Sequence, residues 1–297
     1  MKVISEHGDE SIAKVYVGEF TDGRRVEFVE SLQPPKPREE KWVVIVSSLF
    51  GCPVRCAMCD AGGNYRGALS AEQILAQTDY VVRKRYSDGS VPAKRFKVQF
   101  ARMGEPALNP AVLEALEKLS KRYKAPGLVA CLSTVAPTAS GKFFEGLLDV
   151  KEHYYRGRFQ LQFSIHSTDP KERDALLPLS KWGMGQISEY GETWFRPGDM
   201  KLTLNFAAER GAAISPDALA AAFDPKKFLV KLTPLNPTKA VARRGMVSML
   251  DPDAPGGADS LVQSVRDRGF EVIVSIGDQE ENRIGSNCGM YLGNRGG

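Results

Sequence analysis

Histidine is scarce in this chain, with three in 297 residues, which leaves little room for a His-rich metal site. Net charge is also scarce. A formal excess of +4 permits an RNA partner without arguing for one, because dedicated nucleic-acid modules carry a stronger, clustered excess. No apolar run reaches membrane-spanning length, and the N-terminus, Met1-Lys2-Val3-Ile4-Ser5-Glu6-His7, lacks the apolar stretch of a secretion signal. These absences predict a cytoplasmic protein with no membrane partner. The five cysteines are odd in number and argue against a disulfide framework. Three of them fall within eight residues, a spacing that suits metal ligation in a reducing compartment. The hydrophobic fraction of 42% is ordinary for a globular protein and excludes wholesale disorder.

What is present reads as an α/β chain. Two β-rich runs, Ile12 to Val17 and Arg25 to Val29, flank the turn signal Thr21-Asp22-Gly23. The proline-rich stretch from Gln33 to Glu40 cannot easily continue a strand and reads as a linker. Residues 1–40 are therefore expected to form a small β-hairpin appendage with its linker, and 41–297 the main domain. From Trp42 onward strands alternate with helices. Strands are expected at 42–46, 96–101, 128–133, 159–165, 201–206, 228–232 and 270–274. Helices are expected at 71–84, 111–122, 143–152, 170–176, 216–223 and 258–268. Six or seven βα units fit a partial, TIM-like (β/α)6 barrel with a parallel sheet better than a closed eight-fold one. In such barrels the chemistry sits in loops beyond the C-terminal strand ends.

The segment Gly51-Cys52-Pro53-Val54-Arg55-Cys56-Ala57-Met58-Cys59 follows the first barrel strand. Three thiolates at C-x3-C-x2-C in one loop can each take one iron of a [4Fe-4S] cubane and leave the fourth iron without a protein ligand. A small molecule bearing an amine and a carboxylate can chelate that iron, and an electron through the cluster can split its sulfonium bond. A structural zinc site completed by a fourth ligand such as Cys288 is the alternative, although no second cysteine pair is present.

The motif and its place after strand one resemble the radical S-adenosylmethionine superfamily. Met103-Gly104-Glu105-Pro106 resembles its Gly-Glu-Pro element, where a carboxylate can hold the amino group of the methionine portion. The similarity is closer still to the RlmN/Cfr type, the ribosomal-RNA and tRNA adenine C-methyltransferases. It runs from about Arg25 to Met290 through Val46-Ser47-Ser48-Leu49-Phe50-Gly51-Cys52, Leu132-Ser133-Thr134, Phe163-Ser164-Ile165-His166, Arg173-Asp174-Ala175-Leu176-Leu177-Pro178, Leu235-Asn236-Pro237 and Asn287-Cys288-Gly289. The resemblance implies that Gly104, Glu105, Ser133, Ser164, Ile165, His166 and Asn236 contact S-adenosylmethionine. It also implies a reducing partner such as flavodoxin or ferredoxin. Cys288 stands where the family carries a methyl group on its way to an adenine, and Glu27 resembles the family's proton-accepting glutamate.

Three departures stand out: Ile45, the missing RNA-binding portion, and Met58 before the last cluster cysteine, where the superfamily often has an aromatic. Ile45 occupies the place of the cysteine that, in the family, releases the protein–substrate adduct. Cys131 should share the inward face of Ser133, two residues on, and is either a substitute or a small buried hydrophobe. Only a short β segment stands where the family has a helical RNA-binding portion, so the substrate is expected to be an RNA adenine or a nucleotide-like small molecule. The basic runs at 83–85, 94–97, 118–124 and 243–244 can contact phosphate or simply be solvated helix ends. Two other functions stay open: hydrogen abstraction without methyl transfer on a small molecule or peptide, and an iron–sulfur or zinc binding protein without catalysis. Residues Trp182 to Ile187 are read as a lid over the barrel mouth or a plain connection.

Overall fold

The structure, a computed structural model, describes residues 1–32, 34–251, 256–277, 279–287 and 290–292. Among the described residues ten strands form one sheet in chain order. They are β1 (Lys2–Asp9), β2 (Ala13–Glu19), β3 (Arg25–Ser31), β4 (Lys41–Val46), β5 (Arg95–Phe100), β6 (Leu128–Thr134), β7 (Phe159–Ser164), β8 (Leu202–Ala208), β9 (Phe228–Pro234) and β10 (Glu271–Val274). Pairing is antiparallel from β1 to β4 and parallel from β4 to β10. The N-terminal strands are thus hydrogen-bonded onto the barrel sheet through β3 and β4, with Val29 opposite Ile45. β1 was not expected from sequence. Its residues are largely exposed, so the apolar alternation that marks a half-buried strand is weak there.

The helices are α1 (Ala71–Arg85), α2 (Ala111–Arg122), α3 (Gly141–Tyr154), α4 (Pro170–Leu176), α5 (Met184–Trp194), α6 (Pro216–Ala222), α7 (Lys239–Arg244), α8 (Asp259–Asp267) and α9 (Gln279–Ile284). α1 starts with a capping box, Ser70 Oγ accepting from the Gln73 N–H while Gln73 accepts from the Ser70 N–H. Trp182 to Ile187 is not a lid. Gly183 caps α5, whose Ile187 and Trp194 are fully buried. Gly191 lets this helix lie close on the sheet, since a Cβ there would meet the Phe228 ring at 2.2 Å.

Alternation along the parallel strands sorts the residues by face. Trp42, Val44, Val46, Phe96, Val98, Leu132, Phe163 and Leu204 join the helices in the main core. The opposite face carries Lys41, Lys97, Gln99, Cys131, Ser133, Gln162, Thr203, Asn205 and Lys231. The interior of the open barrel is therefore polar, unlike the side-chain-filled centre of a closed one. Cys131 lies on this inner face with Ser133, as the two-residue spacing predicts, and is fully buried. Among the described residues no helix is long and apolar enough to cross a membrane.

Candidate active site

The cysteine loop leaves the C-terminal end of β4 and is folded back on itself. Phe50 N–H donates to Gly67 O at 2.9 Å, Arg66 N–H to Phe50 O at 2.8 Å and Gly63 N–H to Cys52 O at 2.8 Å. Gly51 sits in the left-handed region, and a Cβ on it would lie 2.5 Å from Asn64 O. Asn109 ties the two ends together, its Nδ2 donating to Ser48 O and Leu69 O, both at 2.8 Å. The loop also reaches the far side of the barrel mouth. Ala57 N–H bonds Leu176 O at 2.8 Å, and Asp60 accepts from the N–H groups of Lys239 and Ala240 at the start of α7.

The three thiols converge within this frame. Burial pushes the Cys52 thiol pKa up and the Glu105 charge adds to the rise, while the backbone N–H groups of Val54, Glu105 and Arg55 oppose it. Cys56 is pushed up by burial and by the neighbouring Cys59 and Cys52. Among the described residues no three His, Cys, Asp or Glu side chains are placed to share one ion. A cubane makes a different demand, one iron for each thiolate. Cys52 and Cys56 are tied into one folded loop with Cys59, Gly63 N–H bonding Cys52 O at 2.8 Å and Cys59 N–H bonding Cys56 O at 3.1 Å, so the donor set fits such a cluster.

Glu105 stands beside these thiols. Its Oε1 accepts from Ala107 N–H at 3.0 Å and Thr134 Oγ1 at 2.5 Å, and its Oε2 from Val135 N–H at 2.8 Å. Burial raises its pKa, and those three hydrogen bonds oppose the rise. Gly104 precedes it in a left-handed conformation; a Cβ there would strike Leu49 at 2.5 Å, so only glycine lets the two loops touch. Ser133 accepts from Gln162 Nε2 at 3.1 Å. Ser164 ends β7 half-buried, and Ile165 is fully buried in the core. Ile165 and His166 both donate their N–H groups to Asn205 O. His166, in the left-handed region, accepts the Ala207 N–H on Nδ1 at 2.9 Å, which leaves Nε2 as the proton-bearing nitrogen. Burial, with the Arg173 charge, lowers its pKa to about 4. Asn236 is half-buried just past β9, in the turn that leads to α7.

Residues that sequence reasoning missed complete the site. Thr134 and Val135 hold the Glu105 carboxylate, and Asn109 and Gln77 hold the cysteine loop. On the inner face of β8, Thr203 Oγ1 and Asn205 Oδ1 are buried with no hydrogen-bond partner among the described residues. Each costs about 1–3 kcal/mol in that state, so the lumen fits a polar ligand such as S-adenosylmethionine. Their only sequence signal was the polar half of the strand alternation.

Two predicted residues need separate statements. Glu27 is wholly buried and paired with Arg102, Oε2 lying 2.8 Å from Nη2. Cys288 lies outside the described residues. Ile45, where the family has a cysteine, faces an apolar group of Val15, Val29 and Ile284. Two of the basic runs turn out to be paired. Lys84 and Arg85 bridge Glu6, Glu10 and Glu30, and Lys118 and Arg122 bridge Glu72, Glu114 and Asp79.

No family model matches. A probable dual-specificity RNA methyltransferase RlmN of Parafrankia sp. is 28% identical over 288 residues, 91% of this chain and 69% of that protein. The protein of the same name from Frankia alni is 27% identical over 95% of this chain and 65% of its own length. The chain is an RlmN homologue. It spans about two thirds of the length of these two RlmN proteins, and with them it is an enzyme. A solved radical SAM methyltransferase from Sphaerobacter thermophilus superposes with a TM-score of 0.72 over 94% of this chain and 78% of that one, at 20% identity. That likeness shows the shared partial-barrel fold.

Proposed function

We propose that this RlmN homologue is a radical S-adenosylmethionine C-methyltransferase in which Cys52, Cys56 and Cys59 hold a [4Fe-4S] cluster and Cys288 carries the methyl group to an sp2 carbon. When bound, the cluster would reduce S-adenosylmethionine at its open iron and supply a 5′-deoxyadenosyl radical. The chain's own residues bind and orient. Glu105, beside the cysteines, has acceptor capacity left for the ammonium of the methionine portion. His166 offers an Nε2–H donor, and Ser133, Ser164, Asn205 and Asn236 present polar groups to ribose and adenine. The observation that carries the reading is the contact between the two loops: Ser48 N–H donates to Met103 O at 2.8 Å and Leu49 N–H to the same oxygen at 3.2 Å, which sets Glu105 beside the cysteines.

The acceptor proposed is an adenine in RNA. The RlmN relatives are named as RNA methyltransferases, and Arg243 and Arg244 end α7, the helix docked on the cysteine loop. Both are exposed, and among the described residues neither has a carboxylate partner, so they suit phosphate contacts. A flavodoxin or ferredoxin would supply the electron. One observation favours a second reading, hydrogen abstraction without methyl transfer: the apolar setting of Ile45 offers no nucleophile to release an adduct from Cys288.

Anaerobic reconstitution with methyl-labelled S-adenosylmethionine separates these. Four irons per chain, and label on the Cys288 peptide that vanishes in Cys288→Ala, are the expected results. Unlabelled Cys288 with released 5′-deoxyadenosine would establish the second reading. Zinc in the anaerobically purified protein, with no cofactor cleavage, would overturn both.

A further inference from the structure

The resemblance offers Glu27 as a proton acceptor, yet the structure engages it otherwise. Its Oε2 pairs with Arg102 Nη2 at 2.8 Å, and its Oε1 accepts the Leu292 N–H at 2.7 Å. Arg102 reaches onward. Its Nη2 donates to Gly285 O at 2.9 Å and its Nη1 to Ser286 O at 3.2 Å. The two side chains are 0% and 3% exposed, so this is a desolvated ion pair, and its further hydrogen bonds given above run to backbone. The backbone it grips is the C-terminal segment, on both sides of Cys288.

We infer that Glu27 and Arg102 are positioning residues that fasten both ends of the methyl-carrier segment to β3 and to the loop after β5, which abuts the loop holding the cluster. The inference rests on the proposed role of Cys288. Arg102 immediately precedes Met103, whose carbonyl accepts the N–H groups of Ser48 and Leu49 at the start of the cysteine loop, so the same stretch touches both that loop and the C-terminal segment. The hold on the near end is reinforced locally. Ser286 N–H bonds Glu281 O at 3.0 Å, and Ser31 Oγ donates to Glu281 Oε1 at 3.0 Å. Ile284 is buried against Val15 and Val29. On the far end, Tyr291 stacks on His7 at 4.0 Å and donates its hydroxyl to Ile284 O at 2.6 Å. A carrier thiol delivers its group only if the chain that bears it is held at the reacting centre. A buried pair serves that purpose, because removing either partner strands the other and frees the segment.

The test is the rate at which Cys288 is alkylated by iodoacetamide in the full chain, read peptide by peptide by mass spectrometry. Glu27→Gln and Arg102→Met should each raise the Cys288 rate tenfold or more, while the rate at buried Cys131 stays unchanged. The double variant Glu27→Gln/Arg102→Met leaves no stranded charge and should show the same rise. An unchanged Cys288 rate in a folded double variant overturns the inference. If the variants fail to fold, shown by fast labelling of Cys131, amide exchange in the unmodified chain decides. Protection of the Leu292 N–H supports the clamp, and exchange at the rate of a free peptide overturns it. No step needs S-adenosylmethionine, so a clamp without methyl on Cys288 would sink only the carrier role.

Discussion

At the scale of single residues, charge and burial are set against each other at His166. Its ring is 7% exposed, accepts the Ala207 N–H on Nδ1 and titrates at about 4. An unfolded histidine titrates near 6.5, so between those values the unfolded chain binds the extra proton. Stability contributed by the neutral ring is therefore complete above pH 6.5 and is lost as pH falls toward 4. Urea denaturation of the apo chain should show a loss on the order of 2 kcal/mol between pH 7 and pH 5. His166→Gln should remove most of that slope, and a slope that survives would place the proton uptake elsewhere. Glu105 makes the complementary case, a carboxylate under three donors beside the cysteines. Glu105→Gln should weaken S-adenosylmethionine binding about tenfold or more, read by calorimetry on the reconstituted protein, since a charge-assisted bond is worth about 1.5–3 kcal/mol.

At the scale of elements, the cysteine loop is held by side chains from two helical segments and by backbone across the barrel mouth. Gln77 of α1 clasps Ser47 by both of its amide atoms, and Asn109, just before α2, joins Ser48 to Leu69. Asn109→Ala should destabilise the protein by about 2 kcal/mol, because it leaves two buried carbonyls short of a donor. It should also speed the loss of iron to a chelator. Normal iron retention would mean that the loop closes without it. The strands and long helices of the barrel were legible because their apolar periodicity is set by the core they cover. α5 was not, because glycine and polar residues interrupt its pattern and only contact with Phe228 and the sheet shows which face is buried. The cysteine spacing was legible because all three ligands are local in sequence. The clasp by Asn109, and that by Thr134 on Glu105, join residues far apart in the chain.

At the scale of the whole molecule, the inner face of the sheet gathers cations. Burial first, then Lys97, Arg95, Lys36 and Lys231, lowers the Lys41 pKa to about 8. Burial and Lys97 lower that of Lys231, against a smaller opposing effect of Cys131. An unfolded lysine titrates near 10.4, so between pH 8 and that value the unfolded chain holds the extra proton. Stability should rise with pH across that window. Thermal melts at pH 7.5 and 9 should show a higher Tm at pH 9, and Lys41→Met should flatten the difference. An equal slope in the variant would assign the effect to other groups.

Taken alone, the sequence determined the local features of this protein. It carried the alternating βα pattern, the three-cysteine loop at the end of the first barrel strand, and the ordered motifs shared with RlmN proteins. Each depends on residues close together in the chain, where covalent spacing dictates geometry. Only the tertiary structure decided that the first three strands extend the barrel sheet, that Thr203 and Asn205 stand unpartnered in a polar lumen, and that Glu27 is bound to Arg102 and Leu292. Those outcomes depend on which distant groups meet after water is excluded, and spacing along the chain does not encode them.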